Sequence, residues 1–202
     1  MKTYTFHISL PGTGRTWRKI EMHEDQTLQE LHMAIQRAFV LANNHLYSFF
    51  MNGKAWDRGS EYCLPEGYPP GYHAPPERDS NIVPFPQENE TSPQQREVSS
   101  QFESLLKEML GDVPNVVEIA RSRLGDKWDD VMRYVAEPGN VLTTTLKDLR
   151  LQQNQGFLYL FDYSHSWQFK VRVHAINPNA PTDVEYPRIV ESVGTPPHQR
   201  RD

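Results

Sequence analysis

Cysteine, positive charge and long apolar runs are all scarce in this sequence of 202 residues. Cys63 is the one cysteine, so no disulfide can form within the chain, and this usage fits a reducing compartment. The formal net charge of -5 argues against a protein that grips nucleic acid over a broad basic face. No apolar stretch approaches the roughly 20 residues that a membrane-spanning helix needs.

The first residues, 1–7, alternate polar and apolar side chains and lack the continuous apolar centre of a secretion signal. Together with the missing apolar span, this predicts a soluble, cytoplasmic protein without a membrane partner. The chain length and an apolar content of 37% suffice for one core, so we predict a single domain covering residues 1–202.

The strongest structural signal is a predicted hairpin over residues 157–176. Its first run, 157–161, is apolar throughout, as in a strand covered on both faces. From Trp167 onward, aromatic and β-branched residues alternate with polar ones, which is typical of a half-buried strand. The pattern predicts an antiparallel hairpin at the middle of a sheet, with Lys170 and Arg172 on its exposed side.

Other local signals surround this hairpin. Thr27 and Glu30 form a capping-box pattern that opens a helix, and apolar residues then recur at helical spacing. Alternation predicts strands at 4–10, 17–23 and 45–51, and a two-residue Asn-Gly turn predicts a fourth strand at 54–56. We therefore predict an α+β fold, a β-grasp-like roll in which a mostly antiparallel sheet packs on one main helix.

The middle of the chain has a different composition. Residues 61–98 hold half of the 16 prolines and predict an irregular excursion. Residues 99–140 predict an insertion of three short helices, so the sheet core divides into 1–60 and 141–198. Beyond residue 177 the chain is again rich in proline and is predicted to end as an irregular tail.

Several short motifs follow one another in a characteristic order over about residues 4–57 and 141–198. They are Trp17-Arg18, Ala38-Phe39, His45-Leu46-Tyr47-Ser48-Phe49, Thr145-Leu146, Leu149, Phe161-Asp162-Tyr163, Trp167, Tyr186-Pro187-Arg188, Gly194 and Pro196-Pro197. In order and spacing they resemble the plasmid pRiA4b ORF-3-like family, whose members often accompany plasmids and transposable elements. The resemblance implies no reaction, since the family has none established.

The chain departs from the family pattern at polar positions. It has Ser164-His165 where the family has Gly-Asp, and Tyr47 and Phe169 where the family has histidines. If those acidic and histidine positions form a site in the family, this chain has lost most of it.

The sequence also lacks the residue spacings that are typical of metal-binding and catalytic motifs. The eight histidines include no His-x-x-x-His pair, and the chain has neither a Cys-x-x-Cys pair nor a Gly-x-Ser-x-Gly elbow. We therefore predict no cofactor, no metal and no catalytic residue. Asp162 has a structural interpretation, because a carboxylate at a hairpin corner can accept backbone N–H bonds and set the turn.

The predicted function is a non-enzymatic binding or adaptor protein of the plasmid- or transposon-associated type, with another protein as its partner. The predicted surface joins His45, Asp162, His165, Trp167 and the tail at 196–197.

Two alternatives stay open. One is a metal-assisted hydrolase or nuclease that uses Asp162, His165 and His45. The other is a nucleic-acid-binding accessory protein with a basic-aromatic strip made by Lys170 and Arg172 beside Tyr163, His165 and His174.

Overall fold

The computed structural model describes residues 2–12, 15–69, 115–128, 131 and 138–198. Within these ranges the chain has an α+β fold built on one eight-stranded sheet with two α-helices. The strands are β1 (Thr3–Ser9), β2 (Trp17–His23), β3 (Tyr47–Phe50), β4 (Glu61–Cys63), β5 (Gly139–Asn140), β6 (Gly156–Phe161), β7 (Trp167–Asn177) and β8 (Arg188–Val193). The helices are α1 (Leu28–Phe39) and α2 (Val116–Leu124).

The sheet has the strand order β5-β4-β3-β6-β7-β1-β2-β8, so the predicted hairpin lies at its centre. Neighbouring strands are antiparallel except for β4 and β5, which are parallel. β6 is buried on both faces, whereas β7 alternates between buried and exposed residues. Both halves of the hairpin prediction are confirmed.

Helix α1 begins at the predicted capping box. Thr27 Oγ1 accepts the N–H of Glu30 at 3.3 Å, and the Glu30 carboxylate accepts the N–H of Thr27 at 2.7 Å. The apolar face of α1 packs with β1, β2, β6 and β7 in one core, in which fully buried large side chains each contribute roughly 1.5–3 kcal/mol. The finer arrangement, a β-grasp roll around one main helix, stays a prediction.

A buried polar chain runs through this core. Gln36 Nε2 donates to Tyr159 Oη at 2.7 Å, and Tyr159 Oη lies 2.7 Å from His32 Nδ1. His32 Nε2 lies 2.6 Å from Asn43 Oδ1, which can only accept, so Nε2 carries the proton and Nδ1 accepts from Tyr159. His32 is therefore a packed core histidine, and its ring stacks on that of Tyr47 at 3.6 Å.

Arg18 is buried at the end of β2 and binds backbone carbonyls. Its guanidinium donates to Ala38 O at the end of α1 (2.9 Å), to Val193 O (2.7 Å), to Trp17 O (2.8 Å) and to Gly194 O (3.3 Å). The described structure pairs it with no carboxylate. Arg18 thus fastens the C-terminal end of α1 to β2 and β8.

The predicted fourth strand at 54–56 is wrong. The Asn-Gly turn forms, with Gly53 N–H donating to Phe50 O at 3.0 Å, but the side chain of Asn52 then donates to Asp57 Oδ2 at 2.6 Å. Trp56 has a φ of 67°, which a strand cannot accommodate. The chain passes through a 3₁₀ turn and only then returns beside β3 as β4.

The predicted irregular tail is wrong in part, because β8 pairs antiparallel with β2. Five of its six residues are exposed, so the strand lacks the alternation that marks a half-buried strand. Side-chain contacts at the two ends of β8 help to hold the strand in place: Arg18 binds its last carbonyl, and Arg188 pairs with Glu21 at 2.6 Å.

Only part of the predicted insertion can be compared. α2 confirms the second of the three predicted helices, and Val116, Ala120 and Trp128 form a small cluster of their own. The first predicted helix, most of the third, and the excursion beyond residue 69 lie outside the described residues. Among the residues that are described, no helix has the length and apolarity needed to cross a membrane.

Candidate functional site on the open sheet face

The sheet face opposite α1 is called the open face here. Because side chains alternate along a strand, the residues between the core positions of β1, β2 and β7 all point to it. Strand register places His7 of β1 between Lys19 of β2 and Arg172 of β7, and Ser9 between Trp17 and Lys170. Five or more polar side chains from three strands therefore share one surface.

Basic side chains dominate the centre of this surface, which we call the basic strip: His7, Lys19, Lys170, Arg172 and His174. The β7 members are exposed, and Lys170 and Arg172 are paired with no carboxylate among the described residues. Lys19 pairs with Glu191 of β8 at 2.8 Å. The strip thus carries more positive than negative charge, although the whole chain is acidic.

The pKa of His7 reflects both its burial and this local charge. Burial lowers its pKa from the usual value, and the neighbouring charges of Arg172, His174 and Lys19 lower it further. Burial, and after it the surrounding cations, therefore favour the neutral form of His7. An anion placed over the strip would reverse these repulsions.

Trp17 adds an aromatic surface to the basic strip. Its ring lies 4.9 Å from that of His7, and Lys19 Nζ lies 5.5 Å from its centroid. Trp17 is only half-buried, so part of its ring faces solvent. Cations around an accessible aromatic ring are the combination on which unpaired nucleobases stack.

The turn between β6 and β7 holds the carboxylate at the centre of the predicted site. Asp162 is 3% exposed, and its Oδ1 accepts the Oγ–H of Ser164 at 2.5 Å and the backbone N–H groups of Ser164 and His165 at 3.2 and 3.3 Å. His165 Nδ1 lies 2.8 Å from Oδ2, and His45 Nδ1 lies 3.8 Å from Oδ1. Hydrogen bonds from residues of its own turn therefore occupy the Asp162 carboxylate.

These contacts set the charge state of Asp162. Burial, the largest influence, raises the pKa, but hydrogen bonds from Ser164 and His165 and the nearby His45 together bring it below the usual value. Asp162 is therefore ionised at neutral pH and bonded to the loop that follows it. The turn-setting interpretation of the carboxylate accounts for each of these contacts.

Asp162→Asn is expected to destabilise the protein by about 1–2 kcal/mol at pH 7, because charge-assisted hydrogen bonds become neutral ones. Because the pKa of Asp162 is lower in the folded than in the unfolded protein, its carboxylate stabilises the fold fully at pH values above the unfolded pKa of about 3.9. This stabilisation is lost as the pH falls through the folded-state pKa. The difference from wild type should therefore shrink below about pH 4 in urea unfolding curves.

Asp148→Asn is the matched control, since Asp148 makes the same kind of turn contacts with Thr145 but is exposed. It should cost under about 0.5 kcal/mol at either pH. A pH-independent loss in Asp162→Asn would contradict the charge-based account.

The other predicted site residues lie in different places. Trp167 begins β7 and packs against the core on the α1 side of the sheet. The 196–197 segment follows β8, and β6 and β8 are four strand spacings apart, about 19 Å at ~4.8 Å each. The structure thus brings Asp162, His165 and His45 together and places Trp167 and the tail elsewhere.

Tyr163 belongs to a second polar group on the open face. Its hydroxyl lies 2.5 Å from Ser48 Oγ, which donates to Glu61 Oε1 at 2.6 Å. Burial raises the pKa of Tyr163 to about 12. Because the Ser48 proton is given to Glu61, the Tyr163 hydroxyl is the donor to Ser48.

Among residues that the structure places, no group of three or more histidine, cysteine, aspartate or glutamate side chains is arranged to hold a metal ion. In the Asp162 turn both histidines present a nitrogen to the carboxylate itself. The thiol of Cys63 has its pKa raised to about 11 by burial, so it is protonated at neutral pH.

Three residues of the open face, His7, Trp17 and Lys19, were not among the predicted site residues. Each lies in a strand that the sequence does predict, on the side away from the core. Strand order and register would have identified them, because β1 pairs with both β2 and β7 in the sheet and so places these residues beside Lys170 and Arg172.

The sequence profile of the family described as plasmid pRiA4b ORF-3-like protein matches residues 2–199. The chain belongs to the plasmid pRiA4b ORF-3-like family. A crystal structure of a protein of unknown function from Methanosarcina mazei Go1 is similar in fold, with a TM-score of 0.52 and 18% identity over 95% of this chain and 69% of that one. No curated protein matches.

Several motifs of this pRiA4b ORF-3-like chain meet at Arg18. Arg18 donates to Ala38 O and Gly194 O, and its guanidinium lies 5.0 Å from the ring centroid of Phe39. Trp17, next to it, points instead to the open face. These motif residues therefore serve the fold, with Trp17 as the exception.

Proposed function

We propose that this protein is a non-catalytic binding module that holds single-stranded nucleic acid across its open sheet face. The observation that carries the proposal is the basic strip with Trp17 beside it, assembled from three adjacent strands. Lys170 and Arg172, which pair with no carboxylate in the part of the chain that the structure describes, supply cations for phosphates, and Trp17 supplies a ring for a base.

Geometry favours a single strand over a duplex. A sheet face presents side chains on a broad, gently twisted surface, whereas reading a duplex usually requires an element that enters a groove. Stacking on Trp17 also needs a base whose face is not covered by its neighbours. The acidic remainder of the chain supports a contact confined to the strip rather than wide, non-specific adhesion.

The predicted protein partner and the link to mobile elements stay predictions. The metal-assisted hydrolase alternative has less support, because the Asp162 carboxylate is occupied by its own turn.

The test is fluorescence anisotropy with a labelled oligothymidylate, titrated between about 50 and 200 mM salt. Wild type should bind the single strand more tightly than the matching duplex, with affinity falling as salt rises. Lys170→Ala/Arg172→Ala should weaken binding at least tenfold and lower the salt slope by about 1.4, or ~0.7 per cation.

Arg123→Ala/Lys147→Ala is the matched control, since it removes the same charge from exposed positions on α2 and on the Thr145 turn. It should leave affinity within about twofold, because neither residue belongs to the basic strip. No saturable binding by wild type, or an equal loss in both double variants, would refute the proposal.

A further inference from the structure

Strand register aligns one residue from each of five strands into a row across the open face. Ser9 of β1 lies opposite Trp17 of β2 on one side and opposite Lys170 of β7 on the other. Lys170 in turn lies opposite Leu158 of β6, and Leu158 lies opposite Phe50 of β3. We call these five residues the Trp17 row. It crosses four strand spacings, about 19 Å at ~4.8 Å each.

A second row, which we call the cation row, runs parallel to the first. Strand register places Lys19 of β2, His7 of β1 and Arg172 of β7 side by side. Each of them is two residues along its strand from a member of the Trp17 row, so the two rows are about 7 Å apart at ~3.4 Å per residue. Basic side chains therefore follow one side of the Trp17 row.

Trp56 lies at the β3 end of the Trp17 row. It belongs to the segment that follows β3 and turns back over the open face, where Ala55 packs on a cluster that includes Phe50 and Leu158. This cluster is separate from the core beneath α1. The ring of Trp56 meets that of Phe50 edge-on, with the centroids 6.4 Å apart. The row therefore has a tryptophan at each end.

The conformation of Trp56 indicates a role outside the core. Its side chain is 55% exposed, although tryptophan is among the residues that gain most from burial. Its backbone has a φ of 67°, a left-handed conformation that disfavours any residue with a Cβ. A large apolar ring that is held in solvent by a strained backbone is typical of a contact surface.

The two rows match the two chemical sides of a single nucleic-acid strand. Phosphates need cations, and Arg172 pairs with no carboxylate in the part of the chain that the structure describes. Bases need aromatic rings, which Trp17 and Trp56 supply. A peptide strand would instead pair with a free sheet edge, and each of the five strands in the row has a neighbour on both sides.

We infer that a bound single strand crosses the β-strands of the open face, with its phosphates over the cation row and its bases over the Trp17 row, and that it stacks one base on Trp17 and another on Trp56. This inference rests on the proposed function. It adds the direction of the bound strand, a second stacking position and a minimum length.

The experiment is fluorescence anisotropy of the full chain with labelled decathymidylate in about 50 mM salt. Trp56→Ala should weaken binding at least fivefold, as the loss of one stacked base implies. Trp56→Leu keeps an apolar contact with Phe50 but has no ring, so it should lose as much. Trp56→Phe keeps a ring and should recover most of the affinity. Because tryptophan is uncharged, none of these variants should change the salt slope.

Val40→Ala is the matched control. Val40 is also an exposed apolar residue with a positive φ, at 74% exposure and 55°, but it caps α1, on the opposite side of the sheet. It should bind the decathymidylate as wild type does. Equal losses in Trp56→Ala and Val40→Ala, or full affinity in Trp56→Leu, would overturn the inference.

Oligonucleotide length tests the direction of the strand. Dithymidylate is too short to join two tryptophans that lie at opposite ends of the Trp17 row. As an unlabelled competitor it should therefore have the same inhibition constant against wild type and Trp56→Ala. Tighter inhibition of wild type would show that Trp56 forms a separate site for a base, and the crossing strand would be wrong.

The results also separate this inference from the proposed function. If Lys170→Ala/Arg172→Ala weakens binding of the decathymidylate and Trp56→Ala does not, the inference fails and the proposed function stands. If wild type binds no single strand, the proposed function fails and the inference fails with it.

Discussion

Arg18→Met is expected to lower the free energy of unfolding by about 3–5 kcal/mol, more than most single substitutions on the surface of this protein. Methionine keeps an apolar stem of similar length but donates no hydrogen bond. Four carbonyls at the junction of α1, β2 and β8 would lose their shared donor, and the loss is costly above all at Ala38 O, whose bond to Arg18 is buried.

The charge of Arg18 fits this role. Burial lowers its pKa, but a guanidinium stays protonated at any physiological pH. Ala38 O lies at the C-terminal end of α1, where the helix dipole favours a cation. Carbonyl dipoles therefore balance the charge, and no carboxylate pairs with Arg18 among the residues that the structure places.

Urea unfolding curves of three variants would check this expectation. Arg18→Lys should recover only part of the loss, because an ammonium group cannot reach several carbonyls in the fixed directions of a guanidinium. Arg37→Met, an exposed arginine in the last turn of α1, should cost under about 0.5 kcal/mol. Equal losses in Arg18→Met and Arg37→Met would contradict the account.

Gly194→Ala is expected to destabilise the protein by about 2–4 kcal/mol, from two additive causes. Gly194 has a φ of 76°, which disfavours any residue with a Cβ. An added Cβ would also lie 2.8 Å from Arg15 O and 2.9 Å from Thr16 Cα, and backbone atoms cannot easily move away.

Gly53→Ala separates the two causes. Gly53 also has a φ of 76°, but nothing lies within 4 Å of where its Cβ would be. This control should therefore lose only the conformational part, about 1 kcal/mol, in the same denaturation experiment. A loss in Gly194→Ala no larger than that in Gly53→Ala would show that the close approach to residues 15–16 is easily relieved.

The two sites are coupled, because Gly194 O is one of the acceptors of Arg18. The double variant Arg18→Met/Gly194→Ala should lose less stability than the sum of the single variants, since both disrupt the same junction.

Local sequence patterns predicted an element correctly wherever the residues that determine it lie within one segment of the chain. The capping box at Thr27 and the alternation of β7 predict elements that the structure contains. The strand at 54–56 failed because the turn chemistry was right but the Asn52 side chain redirected the chain toward Asp57. β8 was missed because its order depends on Arg18 and on Glu21, both far away in sequence.

The residues of the candidate site likewise fall into some that the sequence predicted and others that it did not. Lys170 and Arg172 were visible because they alternate within one strand. Their neighbours His7 and Trp17 were not, since adjacency across a sheet depends on a strand order that no local pattern contains.

The place of β7 in the sheet has a consequence for how the protein is made. β1 pairs with β7, so residues near the start of the chain must wait until about residue 177 has left the ribosome before that ladder can close. The β1–β2 hairpin forms early, but both of its edges stay bare during most of synthesis, because β2 pairs with the still later strand β8. Such distant pairings slow folding, to milliseconds or seconds in sheet-rich domains. During this wait the bare edge of β1 exposes a growing chain to association with other chains, and the arrival of β7 ends that exposure.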